Sequence, residues 1–215
     1  MRTTITSFKA LNGFTLVEMA IVMVIVGLLI SAFLVPLSAQ QDLKDYSKAK
    51  TDLEQIKEAL YGYALVNGRL PCPDTDGNGN ENSPCVMAST GGDLPWLDLG
   101  VDRNDPWGSP YRYRVSGSFT ELFTLTSTGV MDVSTDSTLV TKVANNIPAV
   151  IYTSGKNGRI QPPASADELE NTAMTGTKYN RFFVSREFTP LFDDVVVWIS
   201  SSILFNRMIT AERLP

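Results

Sequence analysis

Gly13-Phe14-Thr15-Leu16-Val17-Glu18 leads directly into MAIVMVIVGLLISAFLVPLSAQQ, residues 19–41, which are 23 residues without one charged side chain. As a helix this run extends about 34 Å, enough to cross a bilayer core of about 30 Å. The competing reading, a buried helix of a soluble core, is usually served by a shorter segment. A transmembrane helix is therefore expected. Ahead of it, residues 1–13 form a polar leader that carries Arg2 and Lys9 and no acid. The positive-inside rule keeps this end cytoplasmic and exports the remainder of the chain. No A-x-A-like site closes the run, which continues into a helical pattern, so the apolar segment reads as retained rather than removed as a secretory signal.

Beyond residue 42, Leu43, Tyr46, Ala49, Leu53, Ile56, Leu60 and Tyr63 recur every three or four positions among Asp, Lys, Glu and Gln. That spacing is the apolar face of an amphipathic helix. The pattern resumes past Pro36 and meets Asn67-Gly68, a pair suited to a helix C-terminus. One helix over residues 14–66 is predicted, with 14–41 as membrane anchor and 42–67 as the spine of a globular head formed by 68–215. In the head, Tyr111, Tyr113 and Val115 alternate with Arg112, Arg114 and Ser116, the pattern of a half-buried strand. Residues 119–127 follow across Ser116-Gly117-Ser118 as the second arm of a hairpin. Residues 149–153, 181–185 and 194–200 read as further strands, and 201–214 as a short closing helix. The expected fold class is α+β, a long N-terminal helix packed on a C-terminal antiparallel sheet.

Composition excludes several functions. The chain has 215 residues, 43% of them apolar and 19% charged, with a net charge of −5. No diffuse basic field exists to hold a phosphate backbone, so no nucleic-acid partner is expected. Absence of histidine removes histidine-based triads and histidine-ligated metals. Gly155-Lys156 is not a P-loop, because Val150 stands where the first glycine belongs and no Ser or Thr follows the lysine. Asp193-Asp194 would point to opposite faces if placed in a strand, which argues against a shared dyad and for a role in capping or solvating a turn. Asp167, Glu168 and Glu170 read as a solvated acidic loop. No catalytic residue is assigned.

Gly13, Phe14 and Glu18, in this spacing after a basic leader and before a long apolar run, resemble the start of type IV pilins and of the pseudopilins of type II secretion. Gly27 falls where many pilin helices carry glycine, and Pro36 lies one residue later than the commonest pattern. In the head, Asp105-Pro106-Trp107-Gly108-Ser109-Pro110-Tyr111-Arg112-Tyr113 is similar to the turn and strand that open the sheet of major pseudopilins. Residues 150–158 are similar to the late strand and loop of some minor pilin-like proteins. The resemblance implies cleavage after Gly13 by a prepilin peptidase, N-methylation of Phe14, an assembly role for Glu18 and a polymerisation role for the helix over 14–41. It also implies a single-pass inner-membrane protein with its head in the periplasm, which an inner-membrane assembly platform draws into a fibre with other pilins or pseudopilins. On this reading the protein is a structural subunit of a type IV pilus or a type II secretion pseudopilus, not an enzyme. The alternative is a single-pass, membrane-anchored calcium- or glycan-binding module of the cell envelope. A carboxylate in an apolar helix costs about 2.5–3.5 kcal/mol unless paired. The new α-amine of Phe14 on a neighbouring subunit can pair with Glu18, and hydration at the headgroups is the other way to satisfy it.

Two cysteines, Cys72 and Cys85, flank a loop rich in Pro, Asp, Asn and Gly. In an exported head they are expected to form a disulfide. Within the loop Asp74, Asp76 and Asn78 sit at alternate positions before Gly79, like the opening of an EF-hand, but Cys85 stands where the final bidentate glutamate belongs. Two readings remain open there: an irregular oxygen cage for calcium and a tight turn without metal. No cofactor is required, and the resemblance bears on calcium only in that major pseudopilins bind it in a different loop.

Overall fold

The computed structural model describes residues 13–85, 89–158, 165–172, 181–189 and 191–214, without the side chains of 32–39, 89 and 90. In chain order the elements are α1 (Leu16–Asn67), β1 (Ser89–Asp93), α2 (Trp96–Leu99), β2 (Arg112–Ser116), a 3-10 turn at Gly117–Phe119, β3 (Met131–Ser134), β4 (Lys142–Ile147), β5 (Ala149–Thr153), α3 (Ala166–Thr172), β6 (Phe182–Val184), β7 (Val195–Ile199) and α4 (Ser201–Thr210). The chain divides into two compact units, residues 1–43 and 44–215. The leader, residues 1–12 of the expected 1–13, lies outside the described residues. Among the described residues no helix is long and apolar enough to cross a membrane. Because the uncharged run includes residues 32–39, the membrane assignment of 14–41 rests on the sequence.

The first unit holds the start of α1, and its large apolar residues from Leu16 to Ile30 are exposed. In the second unit, α1 buries Ala49, Leu53, Ile56, Leu60, Tyr61 and Ala64. Burying a leucine or isoleucine side chain stabilises by about 1.5–3 kcal/mol, so this stripe holds the spine to the head. The helix stops as its sequence predicts: Gly68 adopts a positive φ of 71°, its N–H bonds Ala64 O at 2.8 Å, and Asn67 Nδ2 donates to Tyr63 O at 3.0 Å. A left-handed C′ residue closing a helix favours glycine.

The stripe packs on a four-stranded antiparallel sheet of order β1-β2-β5-β7. Tyr111, Tyr113, Val115, Ala149, Ile151, Val195, Val197 and Ile199 join α1 in one core, closed by Leu204 and Met208 of α4. Strands 149–153 and 194–200 and the closing helix are thus found where the sequence puts them.

The other face of the sheet is covered too, which the sequence pattern does not announce. A second sheet of order β4-β3-β6, with β3–β4 antiparallel and β3–β6 parallel, packs Met131, Val133, Ile147 and Phe183 against Val150, Tyr152 and Val196. Strand β2 is therefore buried on both faces rather than half-buried. Arg112 and Arg114 fit inside because each has a partner: Arg112 pairs with Asp93 and Arg114 lies 5.8 Å from the Phe183 ring. The predicted hairpin over 119–127 is absent. The turn at Gly117–Phe119 sends the chain away from β2, and Phe119 and Phe123 pack with Phe205 of α4 instead. The place beside β2 is taken by β1, whose Ser-Thr-Gly-Gly-Asp sequence has little strand character. Its glycines answer close approach: a Cβ on Gly92 would stand 2.4 Å from Asp74 O.

Candidate functional site

The first candidate is the start of α1. Phe14 is 81% exposed, and among the described residues a Cβ at Gly13 would meet nothing within 4 Å. Thr15 Oγ1 accepts the Glu18 N–H at 3.2 Å, while Glu18 Oε2 accepts the Thr15 N–H at 3.2 Å and the Thr15 hydroxyl at 3.1 Å. This is a reciprocal capping box, and it places a negative charge at the positive end of the helix dipole. The T-x-x-E signal stands in the sequence, inside the segment read only for processing. Glu18 therefore has a partner within its own chain, one residue from the atom that cleavage would turn into an ammonium.

The second is the loop closed by the Cys72–Cys85 disulfide. Asp74 is buried, and its carboxylate accepts three backbone amides: Asp76 and Gly77 on Oδ1 at 3.1 and 2.7 Å, Gly79 on Oδ2 at 2.7 Å. Asp76 accepts the Asn78 N–H at 3.1 Å and the side-chain amides of Asn78 and Asn82. Asn78 Oδ1 accepts the Asn80 N–H at 2.7 Å. The oxygens expected to face a cation are engaged with the loop's own donors. A residue the sequence reading passes over anchors the loop to the spine. Glu81 receives Arg69 through both guanidinium nitrogens at 2.8 and 2.5 Å, the Tyr63 hydroxyl at 2.8 Å and the Cys72 N–H at 2.8 Å. Burial works against the Glu81 charge, but these donors outweigh it and hold the carboxyl below its usual range. Burial, with Glu81 next, pushes the Tyr63 hydroxyl up to about 12.

The third overturns two readings. Asp167, Glu168 and Glu170 do not form a solvated loop: they belong to α3, whose buried residues are Asp167, Glu168 and Asn171. Asp193 and Asp194 precede β7 rather than lying in it, so strand alternation does not separate them. One carboxylate oxygen from each of Glu168, Asp193 and Asp194 lies within 4.8 Å of the others. Part of the charge is met by amides: Lys156 N–H and Asn157 N–H donate to Asp193 Oδ2 at 2.8 and 3.2 Å, Asn157 Nδ2 to Glu168 Oε2 at 3.0 Å, Asp193 N–H to Glu168 Oε1 at 3.1 Å, and Asn171 Nδ2 to Asp194 Oδ2 at 2.9 Å. Asp193 Oδ1 and Asp194 Oδ1 are buried without a hydrogen-bond partner among the described residues, and Asp194 is only 2% exposed. Burial first, then Glu168 and Asp193, raises the Asp194 carboxyl to about 8. Hard oxygen donors with unmet buried lone pairs fit a hard divalent cation, calcium or magnesium.

The family model for type II secretion system (T2SS) protein G matches residues 37–146, and that for the prokaryotic N-terminal methylation motif matches residues 9–34. Among curated proteins the chain is similar to type II secretion system core protein G of Aeromonas hydrophila, 32% identical over 111 residues that span 50% of this chain and 76% of that protein. The Vibrio cholerae protein of the same name is 34% identical over 55% of this chain and 82% of its own. That of Klebsiella pneumoniae is 30% identical over 58% and 91%. No solved structure matches. Residues 147–215, with all three acids of the cluster, lie outside the protein G match. With half the chain matched by one family model and the methylation motif matched at its start, the chain belongs to the type II secretion system protein G family.

Proposed function

We propose that the protein is a pseudopilin, a structural subunit that assembles with other pseudopilins into the fibre of a type II secretion system. The observation that carries this reading is the coincidence, in one chain, of the methylation motif over residues 9–34 and the protein G match over 37–146. In the proposed sequence of events a prepilin peptidase cuts between Gly13 and Phe14 and methylates the Phe14 amine. Residues 14–41 hold the subunit in the inner membrane with its head in the periplasm, until the assembly platform extracts it. Glu18 then pairs with the Phe14 amine of an adjacent subunit. The role is assembly, and no reaction is assigned to the chain. The protein G match does not favour a free-standing, membrane-anchored binding module.

Calcium belongs to this proposal as a structural ion. Glu168, Asp193 and Asp194 would hold it, since two of their buried oxygens lack donors. The 74–78 loop offers it less, because Asp74 is already saturated by backbone amides. A bound cation would take the place of the proton that burial favours on Asp194 and give the buried oxygens a partner.

Shearing of cells that overproduce the assembly machinery tests the proposal. A pseudopilin is recovered in sheared fibres with an N-terminus at methylated Phe14. Recovery solely as dispersed membrane monomers would favour the anchored module.

A further inference from the structure

Helix α3 is inside out. Its buried residues are Asp167, Glu168 and Asn171, while Leu169 is 53% exposed. Apolar burial does not hold such a helix in place, so its polar contacts must. They run to two layers. Toward the three-stranded sheet, Asp167 accepts the Ser137 N–H at 2.8 Å, in the turn between β3 and β4, and pairs with Arg186 just after β6. Asn171 takes both backbone groups of Val184: it accepts the N–H at 2.7 Å and donates to the carbonyl at 3.0 Å. It thereby stands in for a missing strand beside β6, which has three residues and pairs with β3. Toward the main sheet, Glu168 and Asn171 reach Asn157, Asp193 and Asp194 at the ends of β5 and β7.

The second set of contacts is the weak one, because it brings three carboxylates together. Asp194, 2% exposed, has an oxygen with no donor among the described residues. We propose that a divalent cation at Glu168, Asp193 and Asp194 fixes α3, and that α3, through Asp167 and Asn171, fastens the three-stranded sheet over the main sheet. This rests on the proposed binding of calcium by the same three acids and adds what the ion controls. With the ion present, α3 bridges the layers. Without it, the buried oxygens of Asp193 and Asp194 that no described group meets lose their partner, α3 loosens, and β6 and the 135–141 turn lose the contacts it supplies, while the α1-facing side of the main sheet keeps its own core.

Hydrogen exchange on the full chain in detergent micelles, with calcium or with a chelator, tests this, alongside direct calcium titration. Chelation should speed exchange over 182–184 and 135–137 by roughly tenfold or more and leave β2 and β5 protected. The variant Asp167→Ala, which removes the Ser137 and Arg186 contacts and touches none of the three acids, should still bind calcium, yet show fast exchange at 135–137 in both conditions. If millimolar calcium does not bind the wild type, the cation reading falls and this inference with it. If calcium binds but exchange over 182–184 and 135–137 is unchanged, or changes equally across β2 and β5, the cation reading stands and the coupling through α3 is refuted. The wild-type comparison decides the matter even if the variant fails to fold.

Discussion

Arg207 of α4 holds Glu58 of α1 through both guanidinium nitrogens, at 2.6 and 2.9 Å, while its Cζ lies 4.3 Å from the centroid of the Tyr61 ring. The closing helix is thus latched to the spine by an ion pair and a cation–π contact stacked on one side chain. The pair is well exposed, and exposed pairs contribute about 0.2–1 kcal/mol, with a similar amount from the ring contact. Arg207→Ala should lower stability by about 1 kcal/mol, and Arg207→Lys should recover only part of it, since a lysine lacks the planar fork. Urea unfolding followed by circular dichroism reads both.

Closing a loop of this length with a disulfide stabilises by about 3 kcal/mol in the chain-entropy model. Replacing Cys72 and Cys85 together with alanine should therefore lower the melting temperature clearly. The loop should not detach altogether, because Glu81 still binds Arg69, Tyr63 and the residue-72 amide. Protease cleavage between residues 73 and 84 should rise sharply when Glu81→Gln is added to the double replacement, and a loop already fully cut without that addition would contradict the clamp.

The Glu81 carboxyl is held below the ordinary glutamate value of 4.5, the donors overcoming burial. A group whose folded value is depressed contributes stability that is present above its unfolded value and is lost as pH falls through the folded one. Stability should hold near neutrality and begin to fall below about pH 4.5. The Glu81→Gln variant, already less stable at neutral pH, should lose less over that acid range. Parallel acid limbs for the two proteins would show that the clamp is not the titrating element.

The parts legible in sequence are those whose burial is one-sided or whose chemistry is local. The i, i+3, i+4 stripe from Ala49 to Leu60 marks the spine, Asn67-Gly68 its end, the Val- and Ile-rich runs β5 and β7, and Cys72 with Cys85 the staple. What stayed hidden depends on contacts distant in the chain. Arg112 and Arg114 look solvent-facing until Asp93 and Phe183 meet them under a second sheet. Gly91-Gly92 carries no strand signal of its own, and only the close approach of β1 to Asp74 shows why glycine stands there. Helix α3 reverses the usual pattern, burying acids and exposing Leu169, so periodicity points the wrong way.

Glu18 has one role in the structure and a second that is proposed, and chemistry can separate them. In the capping box it accepts the Thr15 N–H and hydroxyl and fixes the first turn of α1. In the fibre it is proposed to attract the amine that cleavage creates on an adjacent Phe14. At about 4 Å and an effective dielectric near 20 that attraction is about 4 kcal/mol before desolvation, whereas a cap is worth about 1 kcal/mol. Glutamine serves a capping box as well as glutamate but carries no charge. Glu18→Gln should therefore be cleaved and inserted normally, with α1 intact, yet enter fibres poorly. Glu18→Val, which loses both the cap and the charge, should do no better. Replacing Gly13 with leucine should leave an uncut, membrane-bound precursor that never enters fibres, with Arg2 and Lys9 still opposing extraction at the cytoplasmic face. N-terminal mass spectrometry separates cut from uncut chains, and the yield in sheared fibres reads incorporation with each variant as the sole copy. Wild-type yields from Glu18→Gln would assign Glu18 to the cap and refute the pairing between subunits. An intact Met1 in cells with an active prepilin peptidase would refute the processing.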